Sequence, residues 1–498
     1  MKESDYMKTN PMLLIDFYKA CHSDMLPKGI TKSVSYMIPR GSRIPFIDKV
    51  VNFGIQGFIK NYLIDYFNEE FFSKPKTVVV ESYDKTLKHS LGKGNYSTKK
   101  IEDLHDLGYL PIRIDAIKEG MLVDIKIPLF AVTNTHANFA WLPQALESLI
   151  SCSLYYPCTI ATIAFEFRKL ANKYIELSCD DNVKASRLMG DFSYRGHHSH
   201  ESAVVGSSAW ATSFLNSSNV ATIPYLEYSY NCDNEKDDVI YGSVSTEHFV
   251  ANSRFAVEGS ERVFIKDMLL NLYPNSSFSM VLDSYDYWDI VKNVIPTLKE
   301  EVLNHNGTLL VRGDSGNTVE VITQTVFELW KTFGEYGHIN SKNMKVLPKQ
   351  IRAIYGDSIT LESCEEIYKI LVENGFSIEN VVLGVGSYSM MCIPYNGQHL
   401  PITRDTFNFA IKSTYAEING KPYSIFKAPK EASFKKSNRG CISVFYDENG
   451  QMVLADDLTW EEACSDEENL LQPVFEDGRF IKEYTLSEIR NNLHNNKF

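Results

Sequence analysis

The sequence predicts an α/β protein built around a parallel sheet, and three observations lead there. From about residue 186 short apolar runs end, again and again, in polar or glycine-rich clusters: SRLMGDFSYRG, DDVIYGSVSTEH, SFSMVLDSYD, TLLVRGDSGN, IRAIYGDSIT and IENVVLGVGSYS. Helical stretches lie between several of them; TLESCEEIYKILVENG sets Leu361, Cys364, Ile367 and Leu371 on one face, with acids in its first turn and Gly375 at its end. Strand, polar cluster, helix, strand is the pattern of βα units. In such folds chemistry gathers where strands end, because those loops converge on one mouth.

The elements before this region read differently. Residues 55–67 place Ile55, Phe58, Ile59, Tyr62, Leu63, Tyr66 and Phe67 at helical spacing. Residues 110–131 alternate, as in Ile112-Arg113-Ile114-Asp115 and Val123 to Ile127, which predicts half-exposed strands. Residues 160–174 return to helix through Ile160, Ile163, Phe167, Leu170 and Tyr174. From about residue 413, DENG (447–450) and EDG (476–478) mark tight turns between short strands, and residues 427–439 form a basic, loop-like run. The expected division is 1–150 as the opening of a β-rich domain with helices, 151–412 as the parallel α/β domain, and 413–498 completing the β-rich domain, which is thus discontinuous.

Composition narrows the function. The chain has 498 residues, of which 44% are hydrophobic, enough for a large core and too many for one small domain. Its net charge of -13 repels phosphate on average, which argues against nucleic acid and membrane surfaces as partners. An anionic substrate then needs locally placed cations, helix N-termini or metal ions. The 9 cysteines are odd in number, scattered and without a CxxC, as in a reduced cytoplasmic protein. The N-terminus shows no signal-peptide pattern, and no stretch approaches 18 uninterrupted apolar residues. There is no GxxxxGK[ST], HExxH or GxSxG, and Gly384-Val385-Gly386 lacks the rest of a dinucleotide fingerprint. The run His197-His198-Ser199-His200 holds metal-ligand residue types without a fourth ligand at identifiable spacing, and reads as a solvated loop.

In GTLLVRGDSGN the buried run stops by presenting Arg312 and Asp314 together, which places them at the mouth of the sheet. With DFYKACH (16–22), DFSYRG (191–196), the TEH ending in His248, DSYD (283–286) and YGDS (355–358), in this order, the chain resembles the nicotinamide phosphoribosyltransferase family within the wider nicotinate/nicotinamide group. The resemblance covers about residues 11–490. It implies an irregular TIM-like α/β barrel packed on a β-rich domain, working as a homodimer with shared active sites. The implied reaction joins nicotinamide to 5-phosphoribosyl-1-pyrophosphate, giving nicotinamide mononucleotide and pyrophosphate in NAD salvage.

The resemblance also implies roles. Phe192 and Tyr18 match an aromatic sandwich around the pyridine ring, Tyr18 coming from the partner subunit. Arg312 matches the arginine beside pyridine and ribose, and Arg195 a family arginine near the same pocket, within the base and phosphate sets alike. Asp314 matches the ribose and metal-site aspartate, where magnesium would be shared with the substrate pyrophosphate. Gly356-Asp357 and Gly386-Ser387 match the ribose and 5-phosphate loop, and Arg40, Arg404, Lys412 and Lys427 the phosphate-binding cations. His248 matches the histidine phosphorylated by ATP, with Asp283 placed to orient it.

The chain departs from the family at two places. Ser218 stands where nicotinamide-using members carry an aspartate, which leaves nicotinate as an alternative base; Ser218 or Asn219 can still accept from an amide. The stretch YSMMCIPYNGQHLPI (388–402) is longer than the family's linker before Arg404. A barrel hydrolase using Asp283, Asp314 and Asp357 is a more remote alternative that leaves His248, Arg195 and Arg312 without roles, and a non-catalytic binding protein would not keep these residues.

Overall fold

The computed structural model describes residues 8–356, 358–427 and 438–495. Two compact units are present: Met1–Thr162 with Glu227–Cys232 and Thr403–Phe498, and Ile163–Leu226 with Asp233–Ile402.

The first unit is organised by a seven-stranded antiparallel sheet in the order Lys421–Ser424, Phe409–Ile418, Ile30–Pro39, Phe130–Asn134, Ile112–Ala116, Gln472–Glu476, Arg479–Phe480. Strands from both ends of the chain thus interleave. Its longest pairing sets Ser35 opposite Ser413 and Pro39 opposite Phe409. The alternating stretch is more deeply buried than its pattern suggests: within Ile112–Ala116 every residue but Arg113 is buried. On Ile112–Ala116 the polar positions satisfy each other. Arg113 donates from Nε and Nη2 to the buried Asp115 carboxylate (2.8 and 2.6 Å), with its guanidinium over the Trp460 ring. Residues 55–72 are helical throughout, extending the expected helix. Gly54 permits this start. Its φ is +107°, and a Cβ there would lie 2.6 Å from Pro157 Cγ.

The helix expected at 160–174 is 32 residues long, Glu147–Ser178, and carries Pro157 inside it. It is long and apolar enough to cross a membrane, yet 67% of its most apolar window is buried within this protein, as in a core helix.

The second unit is built on a seven-stranded sheet in the order Asn216–Ser217, Met189–Asp191, Val381–Val385, Ile351–Tyr355, Leu309–Gly313, Phe278–Val281, Val244–Ser245. Every pairing in it is parallel. The sheet curls until Tyr241, three residues before the last strand, bridges Asn216 on the first. This is the parallel α/β sheet the sequence predicts, curled as the family resemblance implies. Helix Thr318–Phe333 buries Val321, Ile322, Val326, Leu329 and Phe333, and helix Leu361–Glu373 buries Cys364, Ile367, Tyr368 and Leu371. The second opens on a capping box between Thr360 and Ser363, and Gly375 follows it at φ +76°. Residues 388–402 contain a β-hairpin, Cys392–Tyr395 paired with Gln398–Pro401. Its turn is Asn396-Gly397, both left-handed (φ +49° and +73°), as a two-residue hairpin requires.

Candidate active site

Parallel strands all end at one rim, so the polar clusters that follow them meet there. Strand Leu309–Gly313 delivers Arg312 and Asp314. The guanidinium forks onto the carboxylate, Nε to Oδ1 at 2.8 Å and Nη2 to Oδ2 at 2.5 Å, with both side chains about 15% exposed. The neighbouring strand Ile351–Tyr355 brings Gly356 onto this pair. A Cβ there would lie 2.8 Å from Arg312 Nε and 2.9 Å from Asp314 Oδ1, so only glycine lets the backbone approach.

On the other side, strand Phe278–Val281 runs into Asp283. Its Oδ2 accepts the Asp314 N–H at 3.1 Å, and its Oδ1 faces His248 Nε2 at 3.0 Å. Burial raises the Asp283 pKa, but hydrogen bonds from the Ser315 hydroxyl, His248 and the Asp314 N–H outweigh it and hold the carboxyl below its usual range. An ionised Asp283 only accepts, so His248 carries its proton on Nε2. His248 opens the 11-residue helix His248–Glu258, where unpaired amides and the helix dipole favour negative charge. Its side chain is 47% exposed, whereas that of Asp283 is 3% exposed. The orienting acid is therefore fixed and the imidazole reachable.

Across the sheet, strand Met189–Asp191 ends at Phe192, whose N–H donates to Val385 O at 2.9 Å. The ring lies on glycine backbone: a Cβ on Gly384 would fall 2.3 Å from its Cδ2, and one on Gly190 3.2 Å from its Cε1. Ser218 follows the adjacent strand. Its N–H and its hydroxyl both donate to Asp191 O, at 2.9 and 3.1 Å. Asn219 is buried, with Nδ2 donating to Ala203 O and Oδ1 without a partner among the described residues. Ser387 starts a short helix after Gly386 and meets Gly196, where a Cβ would lie 2.4 Å from Ser387 Oγ. Arg195 is exposed in the turn Tyr194–Gly196.

The first unit gathers a second group. The pairing of Ile30–Pro39 with Phe409–Ile418 brings Arg40, just past one strand, next to Asn408, whose carbonyl accepts its Nε at 3.2 Å. Partial desolvation lowers the Lys412 pKa; Glu147 opposes this, and the nearby charges of Arg40, Arg404 and Lys19 add to it. The four cations leave a local excess of positive charge around Glu147. Lys19, not singled out by sequence, is buried against Glu147 and Gln144. Tyr18, 57% exposed, and Arg404 border one open cavity of about 620 Å³ with Asp16, Glu147 and Tyr155. Lys427 is exposed, and Asp357 lies outside the described residues.

The structure thus joins His248, Asp283, Asp314, Arg312 and Gly356 at one rim of the second unit. Phe192, Ser218, Arg195 and Ser387 stand at strand ends of the same sheet, while Arg40, Arg404 and Lys412 gather in the first unit. Among the described residues, the histidine run included, no group of three or more His, Cys, Asp or Glu is placed to hold an ion.

Comparison with known proteins gives the family. The family model described as the nicotinate phosphoribosyltransferase (NAPRTase) family matches residues 188–479, and the one for the nicotinamide phosphoribosyltransferase N-terminal domain matches residues 10–114. A nicotinamide phosphoribosyltransferase of Acinetobacter baylyi is 36% identical, with 98% of this chain and 97% of that protein covered. One of Xanthomonas campestris is 28% identical, with 97% of each covered. Among solved structures, the nicotinate-nucleotide pyrophosphorylase of Pyrococcus furiosus superposes with a TM-score of 0.60 at 14% identity over 99% of this chain and 96% of that one. Human nicotinic acid phosphoribosyltransferase gives 0.54 at 15% identity over 96% and 92%. At such identities these two bear on the fold alone. The first family match takes in more than half of the residues and the Acinetobacter relative aligns almost end to end: the chain belongs to the nicotinate phosphoribosyltransferase (NAPRTase) family.

Proposed function

We propose that the chain transfers the phosphoribosyl group of 5-phosphoribosyl-1-pyrophosphate to nicotinamide, forming nicotinamide mononucleotide and pyrophosphate in NAD salvage. Relatives bearing the nicotinamide phosphoribosyltransferase name support this, as do the residues at the rim. The observation that carries the choice of base is the Ser218 hydroxyl. Its hydrogen is spent on Asp191 O, so toward a ligand it offers lone pairs only. An acceptor suits the NH2 of an amide and repels a carboxylate. The missing aspartate charge is what favours nicotinate as the second reading.

In this reading Phe192 stacks the flat pyridine ring, with Tyr18 from the partner subunit of a homodimer on its other face. The ring nitrogen attacks C1 as the bond to pyrophosphate breaks. Arg312, held by Asp314 and Gly356, presents a fixed positive charge to the departing oxygens, and Arg195, Arg40, Arg404, Lys412, Lys427, Gly386 and Ser387 bind phosphates. Catalysis is then mostly positioning and charge stabilisation. Magnesium fits only in company with substrate: the chain offers the Asp314 carboxylate, already engaged on both oxygens by Arg312. When bound it would neutralise pyrophosphate charge. ATP is the coupled substrate, phosphorylating His248. The setting is cytoplasmic, in keeping with nine free thiols.

The test is direct. Purified protein is given phosphoribosyl pyrophosphate with nicotinamide or with nicotinate, and mononucleotide formation is followed by chromatography. Nicotinamide turnover in excess supports the reading; nicotinate turnover in large excess replaces it.

A further inference from the structure

Two histidines of the 197–200 run, which the proposed chemistry leaves unused, act on the loop that carries Phe192. Asp191 is 1% exposed, and its side chain bonds past Phe192 to the residue that follows it. Its Oδ1 accepts both the Ser193 N–H (2.9 Å) and the Ser193 hydroxyl (2.5 Å), and its Oδ2 accepts the Ser217 hydroxyl (3.3 Å). This closes a turn with Phe192 at its centre. The Ser193 hydrogen is thereby spent, so Ser193 Oγ accepts from His197 Nε2 at 2.8 Å. Burial lowers the His197 pKa, against Asp191 and with the help of His198, which keeps the ring neutral near pH 7 with its one proton on Nε2. A second clasp lies outside the first: the Tyr194 hydroxyl bonds His200 Nδ1 at 2.8 Å, while Ser199 caps the helix His200–Trp210.

We propose that His197, acting through the Ser193 hydroxyl on Asp191, is a positioning residue that holds the Phe192 turn ready to stack the pyridine base. The proposal rests on the base-binding role given to Phe192 above. A phenyl ring has no polar anchor of its own, so its placement depends on the backbone that carries it. The backbone here is fixed at Phe192 N–H by Val385 and, one residue on, by this hydrogen-bond chain. Without the His197 donor, the buried Ser193 Oγ keeps an unpaired acceptor and the turn loosens.

The test separates positioning from general stability. Wild type, His197→Leu, His197→Gln and Ser193→Ala are assayed for kcat and for each KM, with nicotinamide and with nicotinate, and their thermal melts are recorded. His197→Leu removes the donor; His197→Gln keeps an N–H. The expectation is a rise of about tenfold in the KM of the base for His197→Leu and Ser193→Ala, at least threefold larger than any change in the KM of the phosphoribosyl donor, with His197→Gln near wild type. If His197→Leu does not fold, Ser193→Ala decides alone. Unchanged base KM, or base and donor KM rising together in step with a lower melting temperature, overturns the proposal. An error in the role of Phe192 shows as an unchanged base KM in Phe192→Ala, so the two failures are distinguishable.

Discussion

His248 presents Nε2 to the Asp283 carboxylate at 3.0 Å, and the same carboxylate takes the N–H of Asp314 on its other oxygen. One buried acid therefore orients the exposed imidazole and anchors the loop that pairs with Arg312. The nitrogen left for nucleophilic attack is Nδ1. Incubation with labelled ATP should give acid-labile phosphate on His248 Nδ1, identified by phosphorus NMR of the denatured protein. His248→Ala should abolish the label and leave phosphoribosyl transfer measurable. Phosphate on Nε2, or label retained in His248→Ala, would reject this geometry.

Gly356→Ala places a methyl group into the Arg312 and Asp314 pair. The fork must open, so the loss should fall on transition-state charge stabilisation. A fall in kcat of about tenfold to a hundredfold is expected, with the melting temperature little changed because the site is at the rim. Steady-state kinetics and calorimetry check this. Equal kcat in variant and wild type would show that the pair does not act in the reaction.

Ser218→Ala removes a side-chain acceptor whose own proton is already engaged by Asp191 O. The loss of a single hydrogen bond of about 1 kcal/mol should lower kcat/KM for nicotinamide by about fivefold. Nicotinate, which has no proton to donate to this oxygen, should be affected less. Competition assays with both bases read the ratio, and an unchanged ratio would remove Ser218 from base selection.

In the first unit Glu119 caps the helical start with Oε2 on the Gly54 N–H at 2.9 Å and Oε1 on the Gln56 N–H at 2.5 Å. Full burial pushes its pKa up from 4.5 to about 7, against the pull of these amides and of the Tyr230 hydroxyl. With the folded value raised, the protonated form is the one favoured by folding. Its contribution is complete below about pH 4.5 and is lost as pH rises through about 7, on the order of 3 kcal/mol in all. Denaturant titrations between pH 5 and 8 should show stability falling with pH, and Glu119→Gln should flatten that slope. A slope unchanged by the substitution would assign it to other groups.

The strand ends were legible because each apolar run stops at a charged or glycine residue with nothing between, as Val311 does at Arg312. The Leu361–Glu373 helix was legible because its period, cap and stop agree. What sequence could not show was contact between segments far apart. Nothing in the sequence ties Gly384 and Gly190 to the Phe192 ring, which lies on both, or Lys19 to the Glu147 and Gln144 that bury it. The alternating 110–131 stretch suggested an exposed face because the Trp460 helix that covers Arg113 comes over three hundred residues later. The first half of helix Glu147–Ser178 was missed around Pro157. The hairpin at Asn396-Gly397 did carry its signal, an Asn-Gly pair between two short apolar runs.

A crystal structure with nicotinamide mononucleotide bound is the most direct measurement. The account places the pyridine ring against Phe192 on the side away from Gly384, the amide nitrogen within hydrogen-bond distance of Ser218 Oγ, and the ribose by Arg312, Asp314 and Gly356. Density for the nucleotide away from this rim, such as in the first unit's cavity between Leu63, Tyr109 and Arg479, would contradict it.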